Sequence, residues 1–301
     1  MNRRDFGAGL ALAASSGVAL SQATSSRPSA SPHSASQTAT PGKIGLALGA
    51  GSARGFAHIG VLKALDEAGF KADVVAGTSA GSLVGVFYAA GFTPWQMEEV
   101  ALKMRDVEVA DFSSASKRGM FAGEALQKLV NDFVKGAPME RLKLPFAAVA
   151  SNLKTGENVT LRTGDTGAAV RASCSIPGVF VPAVIGGVEL VDGSLVSPLP
   201  VKAARLLGAD FVIGVDVGSK PSNNIHSGLY EVLLQSFEIM GRSISALEAQ
   251  TADFMIRPDT LRFVSTDFSA RKDLIQAGYE AGLKAVGELR ARLGTRGKRR
   301  G

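Results

Sequence analysis

The sequence is short of the residues that staple or ligate. It has one cysteine, Cys174, so no disulfide can close within the chain, and an oxidising compartment is neither required nor excluded. Its three histidines are scattered and no cysteine cluster accompanies them, so no zinc-ligand spacing is present. Aromatic residues make up 6% and charged residues 20%. No apolar run is long enough for a permanent bilayer helix: the one near the start, Ala8 to Leu20, is short and diluted by alanine and glycine.

What is abundant points to a packed α/β sheet. Hydrophobic residues are 46% of the 301, enough for a sizeable core, and 35 glycines suit tight turns and helices pressed on parallel strands. The ends differ from the middle. Residues 1–23 read as an export signal: Arg3-Arg4, the apolar run, then Ser21-Gln22-Ala23 as a small-x-small cleavage site. The paired arginines before Asp5-Phe6 partly match a twin-arginine signal, with the general secretory route as the alternative, so a periplasmic location is expected. Residues 24–42 are rich in Ser, Thr, Ala and Pro and read as a disordered linker. The folded domain is expected over 43–290. A basic tail, 291–301, follows it. Six Lys and Arg from Arg290 onward equal the whole net charge of +6, so the body is near neutral. Such a tail could touch anionic lipid; a solvated terminus is the plainer reading, and no nucleic-acid partner is expected.

Ile44 to Leu48 is a short apolar run, read as the first buried strand. Gly49-Ala50-Gly51-Ser52-Ala53-Arg54-Gly55 follows, and Ile59, Leu62 and Leu65 then recur at helical spacing. Strand, glycine loop and helix form a nest of backbone N–H groups that favours negative charge. A dinucleotide fingerprint would need glycine or alanine where Arg54 stands, and no Gly-Lys-Ser/Thr follows. That leaves the oxyanion of an acyl-transfer intermediate as the favoured ligand, with a non-catalytic anion- or nucleotide-binding module as the alternative.

The next unit supplies a nucleophile. Val74-Val75-Ala76 runs into Gly77-Thr78-Ser79-Ala80-Gly81, a Gly-x-Ser-x-Gly elbow with the serine at a sharp strand-to-helix turn. A Cβ at Gly77 or Gly81 would crowd the backbone there. In a parallel sheet this turn and the glycine loop open at the same edge.

A serine hydroxyl needs a base. His58 sits early in the helix after the glycine loop, where packing is at least as good a role. His226 lies in a polar loop and follows Ser79 and Asp192 in the order of a Ser-Asp-His hydrolase. Asp192 itself closes a hairpin read from Val184 to Val191 with a Gly-Gly turn, and precedes Gly193. Desolvated, its carboxylate could take the proton directly. Further strands are read at 145–150 and 210–216, and helices over Leu229–Ala252 and Lys272–Leu293.

Gly49 to Leu65, Gly77 to Gly81, and Val170-Arg171-Ala172-Ser173-Cys174-Ser175-Ile176-Pro177-Gly178-Val179-Phe180 through Asp192-Gly193-Ser194 to Asp216 resemble the patatin-like phospholipases, in their bacterial branch near the catalytic domain of neuropathy target esterase. The resemblance covers roughly 43–217. It implies a three-layer α/β/α fold with a mainly parallel sheet, hydrolysis of lipid acyl esters without cofactor or metal, and transient contact with a membrane surface. Carried over by position, Ser79 is the nucleophile and Asp192 the base. The backbone N–H groups of Gly51, Ser52 and Ala53 form the oxyanion hole, with Arg54 the family's basic residue in that loop. Gly49, Gly55, Gly77, Gly81 and Gly193 support these motifs. Ala50 and Ser52 stand where the family prefers glycine, and Ser194 replaces its usual glycine or alanine.

Overall fold

The computed structural model describes residues 42–104, 111–113, 116–218 and 228–299. The expected export signal, the linker up to residue 41 and His226 lie outside them.

The first half alternates strands and helices. β1 (Ile44–Leu48) leads through a 3-10 turn (Ser52–Gly55) into α1 (Phe56–Glu67), then β2 (Val74–Thr78), α2 (Ala80–Ala90) and α3 (Pro94–Lys103). Thr93 caps α3 with a full capping box and Pro94 at its first turn. β3 (Gly119–Phe121), α4 (Glu124–Phe133), β4 (Phe146–Asn152), β5 (Asn158–Leu161) and α5 (Thr166–Ser173) follow. The rest is β6 (Gly178–Phe180), β7 (Ala183–Ile185), β8 (Val188–Asp192), α6 (Val201–Leu206), β9 (Phe211–Val215), α7 (Leu229–Ala249), β10 (Phe254–Ile256) and α8 (Arg271–Arg299).

Eight strands form one sheet in the order β10-β9-β1-β2-β4-β8-β7, with β5 also on β4. The run from β10 to β4 is parallel. Those strands are buried on both faces, which is why they read as unbroken apolar runs. Alternate residues face opposite layers. Leu46, Leu48, Val75, Phe146 and Ile213 pack with α1, α2 and α8 on one side. Ala47, Ala76, Ala147 and Val212 pack with α6 and the end of α7 on the other. This is the expected three-layer arrangement.

The antiparallel edge brings distant segments together. Along β4, residues 146–149 pair with β2, ending at Val149 opposite Thr78. Ala150 and the two residues after it pair with β8, beginning at Asp192. β5 occupies the other edge of β4. So β8 takes over the edge of β4 where β2 leaves it, and Asp192 arrives beside the residue that follows Thr78. The β7–β8 hairpin has the expected Gly186-Gly187 turn, with φ of 59° and 78°, a type I′ geometry that two glycines allow at no steric cost.

The C-terminal boundary differs from expectation. α8 continues without a break to Arg299, so residue 290 is not the edge of a separate tail. Arg290 donates to the Ala68 carbonyl at 3.0 Å and Arg292 to that of Asp253 at 3.0 Å, so these two cations hold the helix to the body. Among the described residues no helix is long and apolar enough to cross a membrane.

Candidate active site

β2 delivers its chain into a turn that only a strained residue can make. Ser79 sits at φ 52°, ψ −124°, a conformation costing about 1–3 kcal/mol for a residue with a side chain. The surroundings hold it there. Its N–H donates to Ser173 Oγ at 2.9 Å, and that hydroxyl donates in turn to the Val149 carbonyl at 2.6 Å. Its carbonyl accepts from the Ser82 hydroxyl at 2.7 Å and the Ser82 N–H at 2.8 Å. A Cβ at Gly77 would overlap the backbone of Gly81 and Ser82, and one at Gly81 the carbonyls of Leu48 and Gly49. The two glycines are thus required by close approach, as the motif implied. Ser79 caps α2, yet its side chain makes no capping bond, so the hydroxyl is free for other work. The N-terminus of α2 adds a favourable field for negative charge there.

Asp192 closes β8 as expected and is 1% exposed. Its Oδ1 accepts from the Ser194 N–H at 2.8 Å, while Oδ2 is buried with no hydrogen bond among the described residues. Burial raises the pKa of this carboxyl; the Ser79 hydroxyl, together with Ser194, opposes the rise. The hydroxyl is therefore near enough to polarise the carboxyl, though no formed bond joins them. Such bonds are often loose before substrate arrives. Gly193 lies against the Val149 carbonyl and Thr78, with no room for a side chain.

The glycine loop is more selective than its sequence suggested. Among the described residues, the amides of Gly51 and Ser52 find no acceptor, whereas Ala53 N–H donates to the Ser265 carbonyl at 2.9 Å and Arg54 N–H to that of Gly51 at 3.0 Å. The expectation that Ala53 contributes to the oxyanion hole is corrected: its donor is taken by a segment far along the chain. The Arg54 amide is equally engaged. Gly49 donates to the Val215 carbonyl, and Gly55 presses against Ala80. The Arg54 side chain is not on the surface. It is 4% exposed, pairs with Glu238 at 3.1 Å, and leaves its Nε without a partner among the described residues.

His58 is fully buried under the loop. Its Nε2 lies 2.8 Å from the Gly49 carbonyl, which assigns the proton to that nitrogen, and Nδ1 has no partner among the described residues. Burial lowers its pKa to about 4, so the ring is neutral at physiological pH. Cys174 is half-buried as a residue, with its thiol turned inward. It lies beside the site, its Sγ 3.7 Å from Ser82 Oγ. Burial, then the Asp192 charge, push the thiol up to about 12, against the pull of the Ser82 and Ser79 hydroxyls.

Ser79, Asp192, Gly51, Ser52 and Arg54 line one cavity of about 660 Å³. Its remaining walls are largely apolar, including Phe121, Phe180, Leu234, Phe237 and Leu261. The reading from sequence missed the α7 wall, which carries Phe237, Glu238 and Arg242, and missed the role of Ser173. The Ser173-Cys174-Ser175 cluster was visible; nothing local ties α7 to Ser79. Chemically, the arrangement places on one cavity a hydroxyl that makes no capping bond, a carboxyl of raised proton affinity, a helix N-terminus and two amides without an acceptor among the described residues.

A family model described as patatin-like phospholipase matches residues 46–205, more than half of the chain. An NTE family protein of Mycobacterium tuberculosis is 36% identical over 209 residues, which are 68% of this chain and 57% of that protein. Patatin-like phospholipase domain-containing protein 6 of Homo sapiens is 36% identical over 194 residues, 62% of this chain and 14% of that protein. The chain thus spans little over half of the mycobacterial relative and a small part of the human one. The crystal structure of VipD from Legionella pneumophila has a TM-score of 0.54 at 14% identity, covering 83% of this chain and 68% of that one, which shows a shared fold.

Proposed function

The chain belongs to the patatin-like phospholipase family, and on that premise we propose that it is a serine acyl hydrolase of lipid carboxylic esters, phospholipase A-like or lysophospholipase-like. The observation that carries this reading is the buried Oδ2 of Asp192, without a hydrogen bond among the described residues and of raised proton affinity, on a carboxyl that the Ser79 hydroxyl is near enough to polarise. Ser79 Oγ attacks the ester carbonyl carbon while Asp192 takes its proton. The resulting oxyanion lies toward the amides of Gly51 and Ser52, each such donor being worth about 2.7–4 kcal/mol of barrier. Asp192 then gives its proton to the departing alcohol oxygen, leaving an acyl-Ser79 ester. Water adds to that ester with its proton passing to Asp192, and the fatty acid leaves as Ser79 recovers the proton. The apolar walls suit an acyl chain.

Transient contact with a membrane surface belongs to the same reading. Leu261 lines the cavity and is 59% exposed, and Phe112, 83% exposed, packs on the cavity residue Phe121, so large apolar groups flank the site. Export to the periplasm is supported by the Arg3-Arg4 leader and its small-x-small site.

The test is labelling with a fluorophosphonate probe and turnover on lipid vesicles. Ser79→Ala should abolish both, and Asp192→Asn should lower turnover by about 10³-fold or more. Turnover lost in His226→Ala as completely as in Ser79→Ala would replace the dyad by a Ser79-Asp192-His226 triad.

A further inference from the structure

The proposed chemistry leaves a buried histidine unused. His58 lies in the first turn of α1, is fully buried, and donates from Nε2 to the Gly49 carbonyl at 2.8 Å. Burial lowers its pKa to about 4, so the neutral ring has one N–H, and the Gly49 carbonyl claims it. Nδ1 is then a buried acceptor with no partner among the described residues. Packing alone would favour a leucine there, which fills much the same space and leaves no acceptor unpaired. What the histidine adds is the donor, and its place decides what that donor holds. The Ala50 N–H donates to the Pro198 carbonyl at 2.8 Å, so the peptide between Gly49 and Ala50 is bonded at both its carbonyl and its N–H. Further on, the Ala53 N–H is fixed to the Ser265 carbonyl at 2.9 Å. Between these anchors stand Gly51 and Ser52, whose amides find no acceptor among the described residues. Ser52 is held there at φ 51°, a conformation that a side chain makes costly. The Gly49 carbonyl also borders the elbow, since a Cβ at Gly81 would lie 2.6 Å from it. Behind His58, α1 is clamped to α8: a Cβ at Gly60 or at Gly278 would overlap the backbone of the other helix.

We infer that His58 is a positioning residue for ester cleavage: its Nε2–H, acting through the Gly49 carbonyl, sets where the Gly51 and Ser52 amides stand relative to Ser79. The inference rests on the hydrolase reading and adds a residue to its machinery. Its physical logic is one of pre-organisation. Amides that await an oxyanion have no bond of their own to hold them, so their neighbours must be held instead. Without the imidazole donor the Gly49 carbonyl is a buried acceptor left unpaired, and the loop gains by turning it elsewhere. The two following amides move with it. Charge on the ester oxygen develops only along the reaction path, so displaced amides cost rate and leave ester binding nearly unchanged.

The experiment compares His58→Leu, which removes the donor, with His58→Gln, whose amide nitrogen can stand in for Nε2. On a soluble nitrophenyl ester, His58→Leu should lower kcat about 10- to 100-fold with KM within about twofold of wild type, and His58→Gln should recover most of the rate. Hydrogen exchange read by mass spectrometry should quicken in peptides covering residues 49–55 in His58→Leu and stay near wild type in His58→Gln. An unchanged kcat or unchanged exchange in His58→Leu, a loss carried by KM, or an equal loss in His58→Gln would overturn the inference. Should His58→Leu not fold, His58→Met carries the same comparison with a more adaptable side chain. In the wild type, ¹⁵N-labelled histidine should show the proton on Nε2 near neutral pH, and a proton on Nδ1 would also overturn it. A wild-type protein that cleaves no ester would refute the hydrolase reading alone, because exchange and tautomer still read the anchor.

Discussion

The cavity wall that carries Ser79 and the wall made by α7 are held in place by different means. At Ser79 both the N–H and the carbonyl of the turn are bonded, and adjacent chains touch so closely that a single methyl would collide with a carbonyl. α7 instead leaves Val232, Leu233, Ile239, Met240 and Leu247 on its outer face, all at least 46% exposed. Its firm ties are few. Glu248 accepts from the Leu199 N–H at 2.8 Å and from the Ser197 hydroxyl, and Glu238 holds Arg54. The proposed chemistry needs hydroxyl and carboxyl fixed to a fraction of an ångström. A wall that meets substrates of varied shape does better with few buried contacts, which lower the cost of local movement.

The same substitution should have opposite effects on the two walls. Gly81→Ala drives a methyl into the carbonyls of Leu48 and Gly49, and is expected to lower the free energy of unfolding in urea by about 3 kcal/mol or more. A cost below about 1 kcal/mol would mean that the elbow relaxes and that its rigidity is overstated.

The second difference is in acid. His58, beneath the glycine loop, has a folded pKa of about 4 against 6.5 for the exposed ring. The unfolded chain takes up the proton first, so this contribution is complete above about pH 6.5 and is lost as pH falls toward 4. The loss is on the order of 3 kcal/mol. Urea unfolding as a function of pH should show it, and His58→Gln should flatten that part of the profile. A wild-type profile already flat between pH 6.5 and 4 would show the ring to be solvated.

The smallest effect sharpens the contrast. At Gly241 on α7 an added methyl would meet nothing closer than the Ser194 carbonyl at 3.7 Å, ordinary contact. Gly241→Ala should therefore stabilise by about 0.5–1 kcal/mol, read as a raised urea midpoint. Destabilisation there would show that α7 packs as tightly as the elbow.

Much of the wall that carries Ser79 was legible in the chain. The parallel strands announced themselves as uninterrupted apolar runs because burial on both faces removes alternation. The elbow was readable because steric exclusion around Ser79 leaves only glycine at Gly77 and Gly81. The hairpin to Asp192 was readable through its Gly186-Gly187 turn. The glycine loop after β1 was legible only in part. Whether an amide is free depends on what lies opposite, and Ser265, which takes the Ala53 donor, is 212 residues along the chain. The burial of Arg54 was not legible for the same reason: its partner Glu238 is on a helix with no motif of its own.

By itself the sequence determined the local conformations: where strands run, where only glycine fits, and which hydroxyl stands at a strained turn. These follow from sterics and periodicity within a few residues. Tertiary structure alone decided which donors remain unspent, that Asp192 succeeds Thr78 along one edge of β4, and that α7 closes the cavity with Glu238 on Arg54. Those outcomes depend on pairing between segments far apart in the chain, and desolvation and hydrogen-bond competition are settled only when such segments meet.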